Sequence, residues 1–385
     1  MTGAKGRREV IAGLAALAGS TLLQSPTSLA AKETNVGGIE LKVRRRLRHD
    51  GVLSVAWSPD GTKLVSAGYP YKLWNPHTGE KLHELGPPFS AFVVSAPVRF
   101  TADGKHVVVV SDNARIGDAW TGFGLWNVET GLLDRQVPFP TKYFSPKKAG
   151  DPWFIPIPGK KQAVVIYIKN HGWPVLIYDT ETWEVIGAPI RLPQGGATDF
   201  DVSPDGRLLA VGNRMWEVFV GNPTGRIELY DLVSGKLVQA IDRAHKDVTG
   251  HVKFSPDGKY IASSQMELGM RILNTKTNEL EDMNDLDPVR LWEISSGNKG
   301  VSFEGPFPGT SNLAFHPIRP WVAASLGTIT GKTKGPEFRV WDWKNGTQLA
   351  VENQFTSSAE SIEFSPDGRF VAMAGNNKEC FHQAM

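Results

Sequence analysis

The sequence predicts an all-β chain assembled from repeated four-stranded antiparallel units. Three observations carry this. The phrase Ser-Pro-Asp-Gly stands at 58–61, 203–206, 255–258 and 365–368, with degraded copies at 100–104, 155–160 and 315–319. Short alternating apolar runs flank each copy, the period-2 pattern of a half-buried strand. Gly 40, Pro 26 and Trp 12 in 385 residues supply turn and strand formers in the proportions such a chain needs.

Each unit reads in order. The run before the phrase, such as "LSVAW", is strand one. In the phrase, Pro fixes φ and Asp-Gly supplies the turn. The run after it, such as "KLVSAG" or "RLLAVG", is strand two. A loop leads to a second phrase, seen as "YKLWNPHTGEKLHEL", "FGLWNVETGLLDRQV", "VLIYDTETWEVIGA", "IELYDLVSGKLVQAI", "VRLWEISSGNKGVSF" and "FRVWDWKNGTQLAVE". It encodes strand three, a turn usually holding Gly, and strand four. Seven copies spaced by 43–61 residues predict a seven-bladed β-propeller over 32–385 as one domain. The last unit lacks a fourth strand and has only a doubtful third at 378–385. A segment at about 39–48, "IELKVRRRLR", is therefore expected to be its outer strand and to close the ring, with edge charges discouraging further pairing. Residues 270–280, "MRILNTKTNEL", look like a surplus strand-three phrase. They are read as a hairpin inserted in blade five, with a partial blade as the alternative.

Through "SPDG" and "LWN", "LYD" or "VWD" followed by "TG", "SG" or "NG", the chain resembles the WD-repeat propellers over about 40–385. One feature departs from that family. The His preceding strand one is clear only at His49 and His245, so the buried His-Asp-Ser-Trp network is expected to be mostly absent.

Residues 1–31 read as an export signal: Arg7 and Arg8, an apolar run from Val10 to about Leu23, then Pro26 and the small-x-small trio Ser28-Leu29-Ala30. Arg7-Arg8 before a mildly apolar run resembles a twin-arginine signal, although Val10 stands where such signals usually carry Phe. An ordinary secretory signal or an uncleaved anchor is the alternative. The expected destination is periplasmic or extracellular, with no stable membrane span after cleavage.

Charge and cysteine content exclude other classes. Lys+Arg 42 against Asp+Glu 40 gives +2, and removing the first 31 residues leaves 39 of each, so no nucleic-acid partner is expected. The one cysteine excludes an intrachain disulfide and a cysteine-cluster metal site. No zinc-type His spacing, phosphate loop, nucleophile elbow or haem motif occurs, so no metal, cofactor or catalytic residue is assigned.

Two surfaces are candidates. The loops between strands two and three are long and carry Trp120, Phe123, His171, Trp173, Trp216 and Phe219, joined by Tyr69 and Tyr71. Aromatics on such loops suit a protein or glycan partner. Strand alternation turns a polar collar to the central channel: Arg99, Asp199, Asp201, His251, Lys253 and Glu363, with Asn312 and Ser361. The expected function is a monomeric binding module or scaffold using the loop face. The alternative is a propeller enzyme or cofactor protein, lactonase-like or quinoprotein-like, using the channel. The Ser-Pro-Asp-Gly turns are expected on the short-turn face, away from ligands.

Overall fold

The structure is a computed structural model and describes residues 10–12, 39, 41, 44, 46–49, 52–68, 70–85, 97–112, 121–140, 142–143, 152–167, 174–192, 196–216, 223–245, 248–265, 271–274, 279–282, 289–297, 299–303, 310–326, 337–352 and 359–375. Two short strands, β1 (Val10–Ala12) and β2 (Leu47–His49), pair with each other. Six four-stranded antiparallel blades follow. Blade one is β3 (Ser54–Trp57), β4 (Leu64–Ala67), β5 (Tyr71–Trp74) and β6 (Lys81–Leu85). Blade two is β7 (Arg99–Phe100), β8 (His106–Asp112), β9 (Thr121–Asn127) and β10 (Leu133–Pro138). Blade three is β11 (Pro152–Pro156), β12 (Gln162–Tyr167), β13 (Pro174–Asp179) and β14 (Val185–Arg191). Blade four is β15 (Gly196–Val202), β16 (Leu208–Trp216), β17 (Pro223–Asp231) and β18 (Leu237–His245).

Blade five takes β19 (Thr249–Phe254), β20 (Tyr260–Gln265), β23 (Val289–Glu293) and β24 (Lys299–Phe303). Between its second and third strands, β21 (Arg271–Asn274) and β22 (Glu279–Asp282) form a separate hairpin. The surplus phrase is thus an insertion. Blade six is β25 (Thr310–Phe315), β26 (Trp321–Leu326), β27 (Glu337–Asp342) and β28 (Gln348–Glu352).

The expectation of seven blades is corrected to six. The last copy yields only a two-stranded hairpin, β29 (Ala359–Phe364) and β30 (Val371–Gly375). The physical reason is simple: Ser-Pro-Asp-Gly builds the turn between strands one and two, so counting it counts inner hairpins and not blades. No strand-three phrase follows Gly375, and 378–385 lie outside the described residues. The expected closing strand at 39–48 is corrected too. β2, which shares only Leu47 and Arg48 with that segment, hydrogen-bonds to β1, and it is β1 that runs beside β30. The β29–β30 hairpin still holds a place in the ring, between blade six and blade one.

The core is the set of seams. Strand alternation sends one side chain in two toward each neighbouring blade, and an apolar cluster fills each of the seven seams among the described residues. The seam between blades two and three is the most aromatic, with Phe123, Phe154, Tyr178 and Trp183 in contact.

The two phrases hold their turns by side-chain chemistry. In the first, Ser Oγ donates to Asp Oδ1, at 2.5 Å for Ser58–Asp60 and Ser203–Asp205 and 2.6 Å for Ser255–Asp257 and Ser365–Asp367. The same Oγ accepts the N–H five residues on, and the Gly sits at φ near +70° (Gly61, Gly206, Gly258, Gly368). In the second phrase the Asn or Asp after the aromatic caps the turn: Asp231 Oδ1 accepts the N–H of Val233 and of Ser234. Trp183 replaces the turn Gly of blade three, at φ 62°. A Trp in left-handed backbone is strained by about 1–3 kcal/mol, and its ring is repaid by burial against Phe123 and Phe154.

Two buried His-Ser-Trp relays form. Ser66 Oγ accepts the Trp74 indole N–H at 2.8 Å and lies 2.8 Å from His49 Nδ1. Ser263 Oγ accepts the Trp292 N–H at 2.7 Å and lies 2.8 Å from His245 Nε2. Burial, followed by the Lys72 charge, drops the His49 pKa to about 3. Burial, with Arg290 and Lys299, drops that of His245. Both rings stay neutral, so each Ser hydroxyl can donate to the ring nitrogen while accepting from Trp.

Candidate functional site

The inner strands β3, β7, β11, β15, β19, β25 and β29 are edge strands facing the axis. Their outward N–H groups have no ladder partner and need another acceptor. Alternation brings two layers of side chains to the axis. One layer holds Ser54, Pro97, Trp153, Asp199, His251, Asn312 and Ser361. The other holds Ala56, Arg99, Ile155, Asp201, Lys253, Ala314 and Glu363. Most of these side chains line a central cavity of about 700 Å³.

Most of the polar ones serve the ring. Each accepts a backbone N–H from the next unit: Ser54 from Val98 (3.1 Å), Asp199 from Val252 (3.0 Å) and Asp201 from Phe254 (2.7 Å). Asn312 takes the N–H of Ile362 (3.3 Å), Ser361 that of Val55 (3.3 Å) and Glu363 that of Trp57 (3.1 Å). The last two, with the Trp57 indole N–H donating to the Glu363 carbonyl (3.1 Å), join the final hairpin to blade one and close the ring. Across the seam between blade six and the hairpin, His316 Nε2–H donates to the Gly368 carbonyl (2.9 Å) while Nδ1 accepts from Ile318 and Arg319. Burial first, then Arg319, lowers the His316 pKa to about 4.

The collar's electrostatics follow from these contacts. Burial alone would raise the Asp199 carboxyl; the Lys253 ammonium at 3.2 Å, then His251 at 3.5 Å and the Val252 N–H, outweigh it and hold the pKa at about 2. Burial raises Asp201, against Lys253 and the Phe254 N–H. Burial raises Glu363, against the Arg99 charge and the Trp57 N–H. Arg99 Nη1 donates to the Val98 carbonyl (2.9 Å), and Arg99 makes no ion pair among the described residues. No metal-holding group of three or more His, Cys, Asp or Glu occurs among the described residues.

The Ser-Pro-Asp-Gly turns are nearer this cavity than expected. Pro204, Pro256, Pro317 and Pro366 line it. They also interlock around the axis: a Cβ on Gly104 would meet Pro59 at 3.3 Å, and one on Gly368 would meet the His316 ring at 2.3 Å. The turn phrase is therefore a seam device as well as a turn.

The loop-face aromatics divide. Tyr69, Trp120, His171, Trp173 and Phe219 lie outside the described residues. Trp216 ends β16, paired with Pro223. Tyr71 and Phe123 are corrected: they are buried core residues in the seams on either side of blade two, because β5 starts at Tyr71 and β9 already at Thr121, so alternation turns both rings inward. Sequence reasoning missed the inter-blade acceptor role of the collar. The signal was present: an Asp, Asn, Ser or Glu facing an axis where bare strand edges need acceptors.

A family model described as "WD domain, G-beta repeat" matches residues 41–69. The WD repeat-containing protein SL1-17 of Schistosoma mansoni is 25% identical over 154 residues, 40% of this chain and 42% of that protein. The SEC12-like protein 2 of Arabidopsis thaliana is 23% identical over 288 residues, 72% of this chain and 64% of that protein. A protein named succinyl-diaminopimelate desuccinylase from Burkholderia lata is 28% identical over 132 residues, 32% of each chain. The chain spans from about a third to under two thirds of the length of these relatives. No helix among the described residues is long and apolar enough to cross a membrane. Blade architecture, turn phrases, buried relays and sequence matches agree that the chain is a WD-repeat-like β-propeller.

Proposed function

We propose that this chain is a protein-interaction module that docks its partner on the face bearing the long loops between strands two and three. The observation that carries this is the division of labour within the ring. The channel's acidic and amide side chains are committed to the next blade's backbone, whereas the connections between strands two and three are long, around 113–120, 168–173, 217–222 and 327–336, and the first three carry Trp120, Trp173 and Phe219. A ring locked at its axis holds the strand ends that these segments join at fixed separations, which lowers the ordering cost of binding a large partner. A protein is favoured over a glycan because WD-repeat propellers commonly bind proteins. The same reading places the chain outside the cytoplasm, on the strength of Arg7, Arg8 and the apolar run after them. Enzymatic use of the channel is not favoured, since Asp199, Asp201 and Glu363 already serve as structural acceptors. Cross-linking in the producing cell, with mass-spectrometric mapping, tests the docking face. Cross-links to one recurrent protein should fall on those loops. Cross-links confined to the Ser-Pro-Asp-Gly turns would place the partner on the opposite face.

A further inference from the structure

The final hairpin ends in a strand edge that no blade completes. In each of the six blades strand two is ladder-bonded on both sides, to strand one and to strand three. Among the described residues β30 is ladder-bonded to β29 alone, although Val371, Ala372, Met373 and Ala374 are all buried. Every second residue of a strand turns its N–H and C=O to one edge, and buried backbone groups need partners. Beside that edge lies β1, which is three residues long, whereas the third strands of the blades run from four residues in β5 to nine in β17.

The two walls around β1 do not depend on it. On one side β30 is fixed by its ladder to β29, with Val371 and Met373 packed toward blade six and Ala372 and Ala374 toward blade one. On the other side β2 is fixed to blade one: Leu47 is buried in the seam with Trp57 and Trp74, and His49 Nδ1 lies 2.8 Å from Ser66 Oγ. Neighbouring strands lie about 4.7–4.9 Å apart, so β30 and β2 bound a slot of about 9–10 Å, the width one strand takes between two others. β1 reads Val-Ile-Ala and belongs to residues 1–31, the segment read as an export signal, so removal of that segment leaves both walls standing and the slot vacant. We propose that the slot between β30 and β2 is a strand-docking site: the leader fills it before export, and afterwards it takes an extended, apolar, β-branched segment of a partner protein, hydrogen-bonded to both walls. The partner's chemistry is read from the present occupant and from the seams on either side, which are apolar and would reject a charged residue. Vacating the slot rests on the export reading given above; the slot itself does not, and it is independent of the loop-face partner.

Fluorescence polarisation of a labelled peptide with the sequence of residues 8–16, Arg-Glu-Val-Ile-Ala-Gly-Leu-Ala-Ala, tests the slot on two forms of the full chain, native and Ile11→Pro. Proline at that position removes a ladder N–H and displaces the tethered strand. A tethered segment competes at an effective concentration of about 1 mM, so a peptide with a Kd of about 0.1 mM should bind the native chain about tenfold more weakly than Ile11→Pro. The same peptide with proline in place of its isoleucine should bind neither form. If Ile11→Pro does not fold, Ile11→Gly, which weakens the strand without breaking it, should still tighten binding about threefold. Equal binding by native and variant chains, or no binding by either up to about 1 mM, overturns the docking site. Self-association of Ile11→Pro without peptide binding also overturns it, by making a second copy the occupant. The intact mass of the exported chain tests the vacating step separately: loss of residues 10–12 is expected, and their retention overturns that step alone. None of these outcomes bears on the loop-face partner.

Discussion

Replacing Asp199 probes how the ring is held. Its Oδ2 accepts the Val252 N–H at 3.0 Å and the Lys253 ammonium at 3.2 Å, with His251 at 3.5 Å. Val252 is fully buried, so Asp199→Ala leaves its N–H unsatisfied, at about 1–3 kcal/mol. Breaking a fully buried ion pair would add about 3–5 kcal/mol. Lys253 retains 22% side-chain exposure and can turn to water in the channel, so that part shrinks to about 1 kcal/mol. The sum is about 2–4 kcal/mol. Expressed as linkage, the same contacts hold the carboxyl at about 2 against an ordinary 3.8, which corresponds to about 2–3 kcal/mol. The sign is that of a depressed acid. Its contribution is full above the unfolded pKa and is lost as pH falls from about 4 through about 2. Asp199→Asn keeps an acceptor for Val252 and should cost about half as much. Urea titrations at pH 7 measure all three forms. An Asp199→Ala midpoint within about 0.5 kcal/mol of the native value would refute the inter-blade acceptor role.

Three further outcomes are expected. Ser263→Ala strands both His245 and Trp292, and thermal unfolding should report a loss of about 2–3 kcal/mol; a loss below about 0.5 kcal/mol would show that the relay contributes nothing. Trp183→Gly relieves left-handed strain of about 1–3 kcal/mol but forfeits aromatic packing of about 3–5 kcal/mol. A net loss of up to about 4 kcal/mol, centred near 2, is expected in urea, and a gain would mean the ring contributes no packing. Because folding lowers the pKa of His49 and His245, the unfolded chain takes up protons first as pH falls below about 6.5. Stability should then drop toward pH 4 by up to about 1.4 kcal/mol per pH unit for each ring. The double variant His49→Gln/His245→Gln should flatten that dependence of melting temperature, and an unchanged slope would assign the acid loss elsewhere.

Repetition and alternation made much of this molecule legible. The two turn phrases located every inner hairpin and six outer ones. Period-2 alternation from Phe200 and Val202 was enough to place Asp199 and Asp201 at the axis. Alternation fails where a strand's first residue is unknown, and there Tyr71 and Phe123 were placed on a surface though both are core. The blade number failed because a turn phrase reports its own hairpin and says nothing of the two strands that should follow. What the collar side chains do was harder to read, since an Asp facing an axis looks the same whether it awaits a ligand or caps the next strand. Only the geometry shows which oxygen is spent. Trp183 was visible as "TWE" among "TGE", "TGL" and "SGK", but the burial that repays its backbone strain depends on Phe123 and Phe154, from another blade and another strand.

In the proposed function the axis holds the fold and the loop face takes the partner. The measurement that separates them is partner recovery by two variants of the tagged chain, Trp120→Ala/Trp173→Ala/Trp216→Ala and Asp201→Asn/Glu363→Gln. The loop variant should lose the recovered protein at unchanged melting temperature, while the channel variant should retain it. Loss in the channel variant with full recovery by the loop variant would contradict the proposed function.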